Sequence, residues 1–296
     1  MAKAVLQGVP VHYVRSGEGP DLFLVHGLAA DLSFWYLRVV PKLSARWRVT
    51  VYDMRGHGFS GMPDSGYTPE DLAQELRALM DHLGIGSAHI GGHSFGGAVA
   101  LQLALSDPER VRSLALFDVR LPQLQPLPPT HESAFWRERR EALRSRGVEV
   151  SEETPKILYS LLEEIAGQTG KKNGATTGVP GFGSWKPGSR MARRWERLRD
   201  ETRMAKEVGA CTTLNASALT TVAQPVLLSF GERSRSLDTC KALEKCLPDH
   251  RTIIHPGVGH FFPAVRPDYV IEDLRPFLEE VEGSARGAAP REEGRP

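Results

Sequence analysis

One pentapeptide constrains this chain more than any other stretch. Gly92-His93-Ser94-Phe95-Gly96 follows a strand-like segment, Ala88-His89-Ile90-Gly91, and opens an Ala- and Leu-rich helical stretch from Phe95 to Leu105. A strand that passes straight into a helix must turn sharply. Small residues two positions either side of Ser94 suit that turn, because a bulkier side chain would collide with the backbone. A serine at the apex is held out as a nucleophile. The Gly-x-Ser-x-Gly pattern is common by itself; the strand before it and the helix after it make it specific.

A chain of 296 residues is long enough for one large α/β domain, or for one domain carrying an insertion. Apolar content of 41% and charged content of 25% are ordinary for a globular protein. The formal net charge of +1 supplies no global field to recruit nucleic acid or an anionic membrane. Cys211, Cys240 and Cys246 form neither a disulfide framework nor a zinc spacing, and fit reduced thiols in the cytoplasm. The stretch from Met1 to Gly8 lacks the apolar core of a signal peptide. No segment approaches the roughly 18 uninterrupted apolar residues of a membrane span. The expectation is a soluble cytoplasmic protein that acts on a small molecule, free or carrier-bound, without metal or cofactor.

Short apolar runs alternate with helical patterns through the first 118 residues, the mark of a parallel sheet built from βαβ units. Candidate strands are Val9 to Val14, Leu22 to Val25, Val49 to Tyr52, His89 to Gly91 and Leu114 to Phe117. Thr68 as N-cap, Pro69 at the first helical position, acidic Glu70 and Asp71, and a stripe of Leu72, Leu76, Leu79, Met80 and Leu83 predict a helix that Gly84 ends. The alternation breaks after Asp118. Proline-dense Leu121 to Pro129 leads into helical segments at about Ser133 to Arg146, Glu152 to Ala166 and Ser189 to Val208, with a glycine-rich loop from Gly167 to Gly188. The βα pattern resumes with a strand at Val226 to Phe230, a helix around Ser236 to Cys246, a strand at Arg251 to Ile254 and a closing helix from about Pro267 to Val281. Residues 1–120 and 223–282 therefore read as one core, 121–222 as a helical cap insertion, and 283–296 as a disordered tail.

Four pieces lie in register along the chain: Leu24-Val25-His26-Gly27-Leu28, then Tyr52-Asp53-Met54-Arg55-Gly56-His57-Gly58-Phe59-Ser60, the Ser94 turn, and Gly257-Val258-Gly259-His260-Phe261. In order and spacing they resemble the α/β-hydrolase family, over nearly all of residues 8–281. The resemblance implies an α/β fold with an eight-stranded, mostly parallel sheet flanked by helices, and a cap inserted after the sixth strand.

Ser94 needs a base to take its proton as it attacks. His260 is the candidate, because it follows the last strand at the sheet's carboxyl edge, where ligands of open parallel sheets bind. His93 adjoins the nucleophile but points away from it, His26 braces the oxyanion loop, His57 structures its own loop, and His255 ends a strand. Two backbone amides, those of Leu28 and Phe95, are the expected oxyanion hole. The third member departs from the commoner family pattern. The acid position after the seventh strand reads Gly231-Glu232-Arg233-Ser234, with serine where aspartate is usual. Asp118, directly after the sixth strand, is the first candidate, as in some relatives; Asp238, or a missing or different acid, stays open, and Asp238 and Glu232 also fit ordinary loop charges.

The family's dehalogenases and epoxide hydrolases attack with aspartate, whereas serine points to acyl chemistry. The expected function is hydrolysis of an ester or thioester of a medium-sized, largely apolar small molecule through an acyl-enzyme. The alternative is a biosynthetic acyltransferase, cyclase or lyase with the same three residues. Trp136, Phe182, Trp185 and Phe261 are candidate substrate contacts, although cap aromatics also serve as the cap's own core. Arg190, Arg193, Arg194, Arg197, Arg199 and Arg203 read first as a solvated face paired with Glu196, Asp200 and Glu201. The other reading is a landing surface for an acidic partner or a carboxylated substrate.

Overall fold

The structure is a computed structural model that describes residues 2–125, 134–145 and 190–288. Eight strands among these residues form one sheet: β1 (Ala2–Leu6), β2 (Val9–Ser16), β3 (Asp21–Val25), β4 (Arg48–Tyr52), β5 (Ala88–His93), β6 (Val111–Phe117), β7 (Val226–Gly231) and β8 (His250–His255). Their order is β1-β2-β4-β3-β5-β6-β7-β8. β1 with β2 and β2 with β4 are antiparallel; all pairings from β4 onward are parallel. Every residue of β5 and β7 is buried; β7 is apolar or small throughout, whereas β5 also buries His89 and His93, which bond to Ser113 Oγ and His260 O.

β1 is a strand that the residue pattern left out. It alternates instead, with Ala4 and Leu6 buried and Val5 exposed. Leu6 pairs with Val9 across a two-residue turn in which Gln7 (φ 49°) and Gly8 (φ 80°) are both left-handed. That turn matches the twist of the two strands it joins.

The predicted helix occupies Pro69–His82, with Thr68 and Asp71 forming a reciprocal cap and Gly84 left-handed (φ 68°) just beyond its end. Its stripe, Leu72, Leu76, Leu79 and Met80, is buried. The segment expected as one helix from Ser189 to Val208 is two, Arg190–Glu201 and Met204–Glu207. One long-range and one local bond hold the break: the Arg203 N–H donates to Asp64 O at 2.7 Å, and Thr202 Oγ1 accepts from the Met204 N–H at 3.2 Å. Trp195 and Leu198 of the first of these helices, and Met204, Val208, Leu214, Leu219 and Val222 after it, join the buried core of the sheet.

The closing helix runs Pro267–Ala288, past residue 283, where composition placed the start of a tail. Ser284 Oγ donates back to Glu280 O at 3.0 Å, so the helix continues on local bonds after its apolar stripe has ended. Residues 289–296, the expected helix Glu152 to Ala166 and the loop Gly167 to Gly188 lie outside the described residues.

β3 is flanked by β4 on one side and β5 on the other. Chain progression therefore reverses there, and the crevice beyond the carboxyl ends of these strands is where open parallel sheets place ligands.

Candidate active site

Ser94 joins β5 to the helix Phe95–Ser106 with φ 53° and ψ −119°. An L-residue held there stores strain of about 1–3 kcal/mol. The flanking glycines are required by contact rather than by dihedral angle. A Cβ on Gly92 would lie 2.3 Å from Gly96 O, and one on Gly96 would lie 2.5 Å from both Val25 O and His26 O. The Ser94 N–H donates to Phe117 O at 3.0 Å, tying the turn to the end of β6.

The loop after β3 packs directly on this turn. A Cβ on Gly27 would meet Ser94 Cβ at 3.2 Å and His93 Nδ1 at 3.0 Å. His26 fixes the loop from below: its Nδ1–H donates to Gly27 O at 2.8 Å, and its Nε2 accepts the Met54 N–H at 3.1 Å. Burial pushes the His26 pKa down, so the ring is neutral as both bonds require. Leu28, next in the loop, is buried. Phe95 is the first residue of its helix, where an N–H has no carbonyl one turn back to bond.

His260 arrives from the loop after β8. Gly231, at the end of β7, lets that loop come close: a Cβ there would lie 2.6 Å from Val258 O and 2.9 Å from Gly259 O. The imidazole Nε2 lies 3.0 Å from Ser94 Oγ, and Nδ1 lies 2.8 Å from Asp118 Oδ1. A carboxylate at Nδ1 keeps the ring proton on that nitrogen and leaves Nε2 to accept from the serine hydroxyl.

Asp118 ends β6 in a left-handed conformation (φ 51°), fully buried. Its N–H donates to Ser229 O at 2.8 Å. Its Oδ2 accepts the Gly231 N–H at 2.9 Å, and Oδ1 accepts the Ser234 hydroxyl as well as His260 Nδ1–H. Burial alone would raise the carboxyl pKa. The bond and charge of His260, with the Gly231 and Ser234 donors, outweigh burial and hold it below the usual range. Ser234 is thus a donor to the carboxylate from the place where the family more often carries the acid. Its Oγ also accepts the Ser236 N–H at 3.0 Å, which aims the hydroxyl.

Asp238 is elsewhere. Its side chain is 70% exposed in the first turn of the helix Leu237–Cys246, paired to Lys241 at 3.1 Å. Glu232 accepts the Gly257 N–H at 2.7 Å and so braces the His260 loop. His93 is fully buried, stacked on Phe34 with centroids 4.6 Å apart. Its Nε2–H donates to His260 O at 2.9 Å, and burial pushes its pKa down to about 3. His255 pairs with Asp273 at 2.7 Å at the end of β8.

Phe261, expected to touch substrate, is 1% exposed and packs edge-on to His260 with centroids 5.0 Å apart. A ring so buried props the imidazole and presents no surface to a substrate. Phe182, Trp185 and the side chain of Trp136 lie outside the described residues. No helix among the described residues is long and apolar enough to cross a membrane.

Residues 20–156 match the protein family described as alpha/beta hydrolase fold, which joins the sheet order to a sequence pattern. The chain has the α/β-hydrolase fold. Among relatives, it is 40% identical over 114 residues to a dihydrolipoyllysine-residue acetyltransferase component of an acetoin cleaving system from Cupriavidus necator, covering 38% of this chain and 30% of that protein. It is 33% identical over 117 residues to a soluble epoxide hydrolase from Corynebacterium sp. strain C12, covering 40% of this chain and 41% of the relative. The matches thus span less than half the length of these curated relatives. Among solved hydrolase-fold structures, a thermophilic esterase from Thermogutta terrifontis superposes with a TM-score of 0.65 at 23% identity, covering 95% of this chain and 98% of the other. That likeness speaks to the fold.

Sequence reasoning missed the work of Ser234, which it met only as the absence of an aspartate. The available signal was the pairing itself. A displaced acid leaves an empty place beside the same histidine, and a small polar residue there can bond to the acid from its new position.

Proposed function

We propose that this chain is a serine hydrolase that cleaves an ester or thioester of a medium-sized, largely apolar small molecule through an acyl-enzyme. The observation that carries this reading is the hydrogen-bonded line Ser94 Oγ, His260 and Asp118, with spacings of 3.0 Å and 2.8 Å.

His260 Nε2 takes the Ser94 proton as Oγ attacks the acyl carbon. Asp118 stabilises the imidazolium that forms. The Leu28 and Phe95 amides receive the developing oxyanion; losing one such donor typically costs on the order of 10²–10³ in turnover. The imidazolium then protonates the leaving oxygen or sulfur. Water, deprotonated by the same nitrogen, releases the acid and restores Ser94. The strained φ of Ser94 holds its hydroxyl clear of the helix that begins at the next residue.

A second outcome, delivery of the acyl group to another acceptor, draws support from the likeness to the Cupriavidus necator protein named as an acetyltransferase component. The buried thiols of Cys211 and Cys240 suit a reducing, cytoplasmic setting.

Labelling with a fluorophosphonate tests the reading. The expected result is stoichiometric modification of Ser94, lost in Ser94→Ala and in His260→Ala. Folded protein that takes no label overturns it. Turnover of short p-nitrophenyl esters separates hydrolysis from transfer.

A further inference from the structure

A cleft lies between the helix Arg190–Glu201 and the loops that follow β3 and β4. Its walls include Ala29, Ala30, His57, Arg190, Arg194 and Trp195, and its volume is about 40 Å³. A single water needs about 10–15 Å³ by the same measure, so the space holds roughly three heavy atoms. That is the size of a carboxylate group.

Among the described residues the polar lining is short of acceptors. Arg197, Arg199 and Arg203 in this segment have carboxylate partners: Glu201 at 2.9 Å, Asp200 at 2.6 Å and Asp64 at 3.1 Å. Arg190 and Arg194, which face the cleft, have no carboxylate partner among the described residues. Arg194 spends one terminal nitrogen on the carbonyls of His57 and Ser60. Its Nε–H is buried and meets no acceptor among the described residues. A buried charged donor left unmet costs free energy, and the guanidinium that carries it lines the cleft, where an anion would offset its charge. Arg190 lies over the face of Phe59 at 4.2 Å, a contact that leaves the N–H edge of its guanidinium free to bond.

The charge balance points the same way. Among the described residues, two guanidiniums line the cleft against one carboxylate, that of Asp31, and Asp31 Oδ1 already accepts the Ser33 N–H at 2.9 Å and the Ser33 hydroxyl at 2.5 Å. His57 adds no charge, because burial pushes its pKa down to about 3; its Nε2 accepts the Ala29 N–H at 3.3 Å. Burial and the neighbouring Arg197 and Arg190 charges pull the Arg194 pKa down against the pull of Asp53. A cation dehydrated beside a like charge gains most from a counter-ion.

We propose that this cleft is a carboxylate subsite, in which Arg194 and Arg190 hold a free acid group on the molecule that reacts at Ser94. Its link to Ser94 rests on the hydrolase reading above. Ala29, on the cleft wall, directly follows Leu28, whose N–H is assigned to the oxyanion. The cleft wall thus begins one residue along the chain from the assigned oxyanion donor, and a molecule held at both would carry its acid group a few carbon atoms from its reacting carbonyl. The substrate class is the ester or thioester of a short dicarboxylic acid or of an acid-bearing acyl chain.

The test is a titration of full-length, ¹⁵N-Trp-labelled protein with glutarate and, separately, with its neutral counterpart glutaramide. The Trp195 indole resonance, identified with Trp195→Phe, should shift saturably with glutarate and not with glutaramide. Arg194→Gln should weaken glutarate binding tenfold or more. Arg194 also anchors a loop, so Arg190→Gln, at an exposed position, serves as the second variant and should weaken it at least threefold. Equal response to the two compounds, dissociation constants within twofold in both variants, or tighter binding of inorganic phosphate than of glutarate overturns the proposal. In turnover, mono-p-nitrophenyl glutarate should be preferred tenfold over p-nitrophenyl butyrate, with the preference lost in Arg190→Gln; equal preference in wild type and variant overturns the link to Ser94. Glutarate binding without fluorophosphonate labelling sinks the hydrolase reading and keeps the subsite, and labelling without glutarate binding does the reverse.

Discussion

Replacing Asp118 by Asn changes one atom at a site where three donors converge, and the geometry dictates how the amide must lie. Asp118 Oδ2 receives the Gly231 N–H, a backbone donor that cannot turn away. Oδ1 receives His260 Nδ1–H and the Ser234 hydroxyl, and both of those can reverse role. An amide with its NH₂ toward Gly231 would set donor against donor in a fully buried place. Turned the other way, its oxygen meets Gly231, and its NH₂ donates to Ser234 Oγ and to His260 Nδ1. The imidazole then carries its proton on Nε2, the nitrogen 3.0 Å from Ser94 Oγ, and cannot accept the serine proton. The wrong tautomer and the lost counter-charge together should lower kcat about 10⁴-fold, close to 5.5 kcal/mol of activation free energy. The assay is p-nitrophenyl ester turnover with fluorophosphonate labelling rates, beside a circular dichroism melt to establish folding. Asp238→Asn, on an exposed side chain paired only with Lys241 among the described residues, should stay within twofold of wild type. A well-folded Asp118→Asn within tenfold of wild type, or equal losses in both variants, would refute the reasoning.

Other outcomes concern the turn and the buried histidines. Gly92→Ala should destabilise by about 3 kcal/mol or more, since its Cβ meets only backbone, at 2.3 Å from Gly96 O. Gly86→Ala, with open space around it, should change stability by less than about 0.5 kcal/mol, and urea unfolding compares the two. Ser94→Gly should be more stable than Ser94→Ala by about 1 kcal/mol, because only glycine relieves φ 53° with ψ −119°; equal midpoints would contradict the strain. His57 and His93 are neutral in the fold, with pKa values pushed down to about 3, whereas the unfolded chain binds their protons near 6.5. The unfolded state therefore holds more protons below 6.5, and stability should fall as pH drops from 6.5 toward 3. The slope approaches about 1.4 kcal/mol per pH unit for each ring. His93→Phe should remove one proton's worth of that slope, and an unchanged slope would count against a neutral His93.

Strands buried on both faces were readable because such strands carry a nearly continuous apolar signature, unbroken in Leu22 to Val25 and interrupted only by Ser229 in Val226 to Phe230. β1 escaped because an edge strand needs only alternate buried residues, here Ala4 and Leu6, too short a pattern to separate from chance. The break at Thr202 and Arg203 was hidden for a different reason. It is stabilised by Asp64, a residue far away in sequence, and helix propensity carries no trace of such a partner.

Taken alone, the sequence determined the local parts of this protein: the Ser94 turn with its glycines, the capped helix after Thr68, and the histidine at the end of the last βα unit. Spacing along one chain encodes these, since each depends on neighbours a few residues apart. For the residue beside His260 the sequence ranked Asp118 first and left others open, and the tertiary structure decided. Three strand ends bring Asp118, Ser234 and His260 together across more than a hundred residues, and only the register of β6 on β7 on β8 fixes which side chain arrives. The meeting of Arg194 with the loop at His57 is decided in the same way. No local pattern holds it, because the free energy of that contact depends on two surfaces that approach each other only when the sheet has formed.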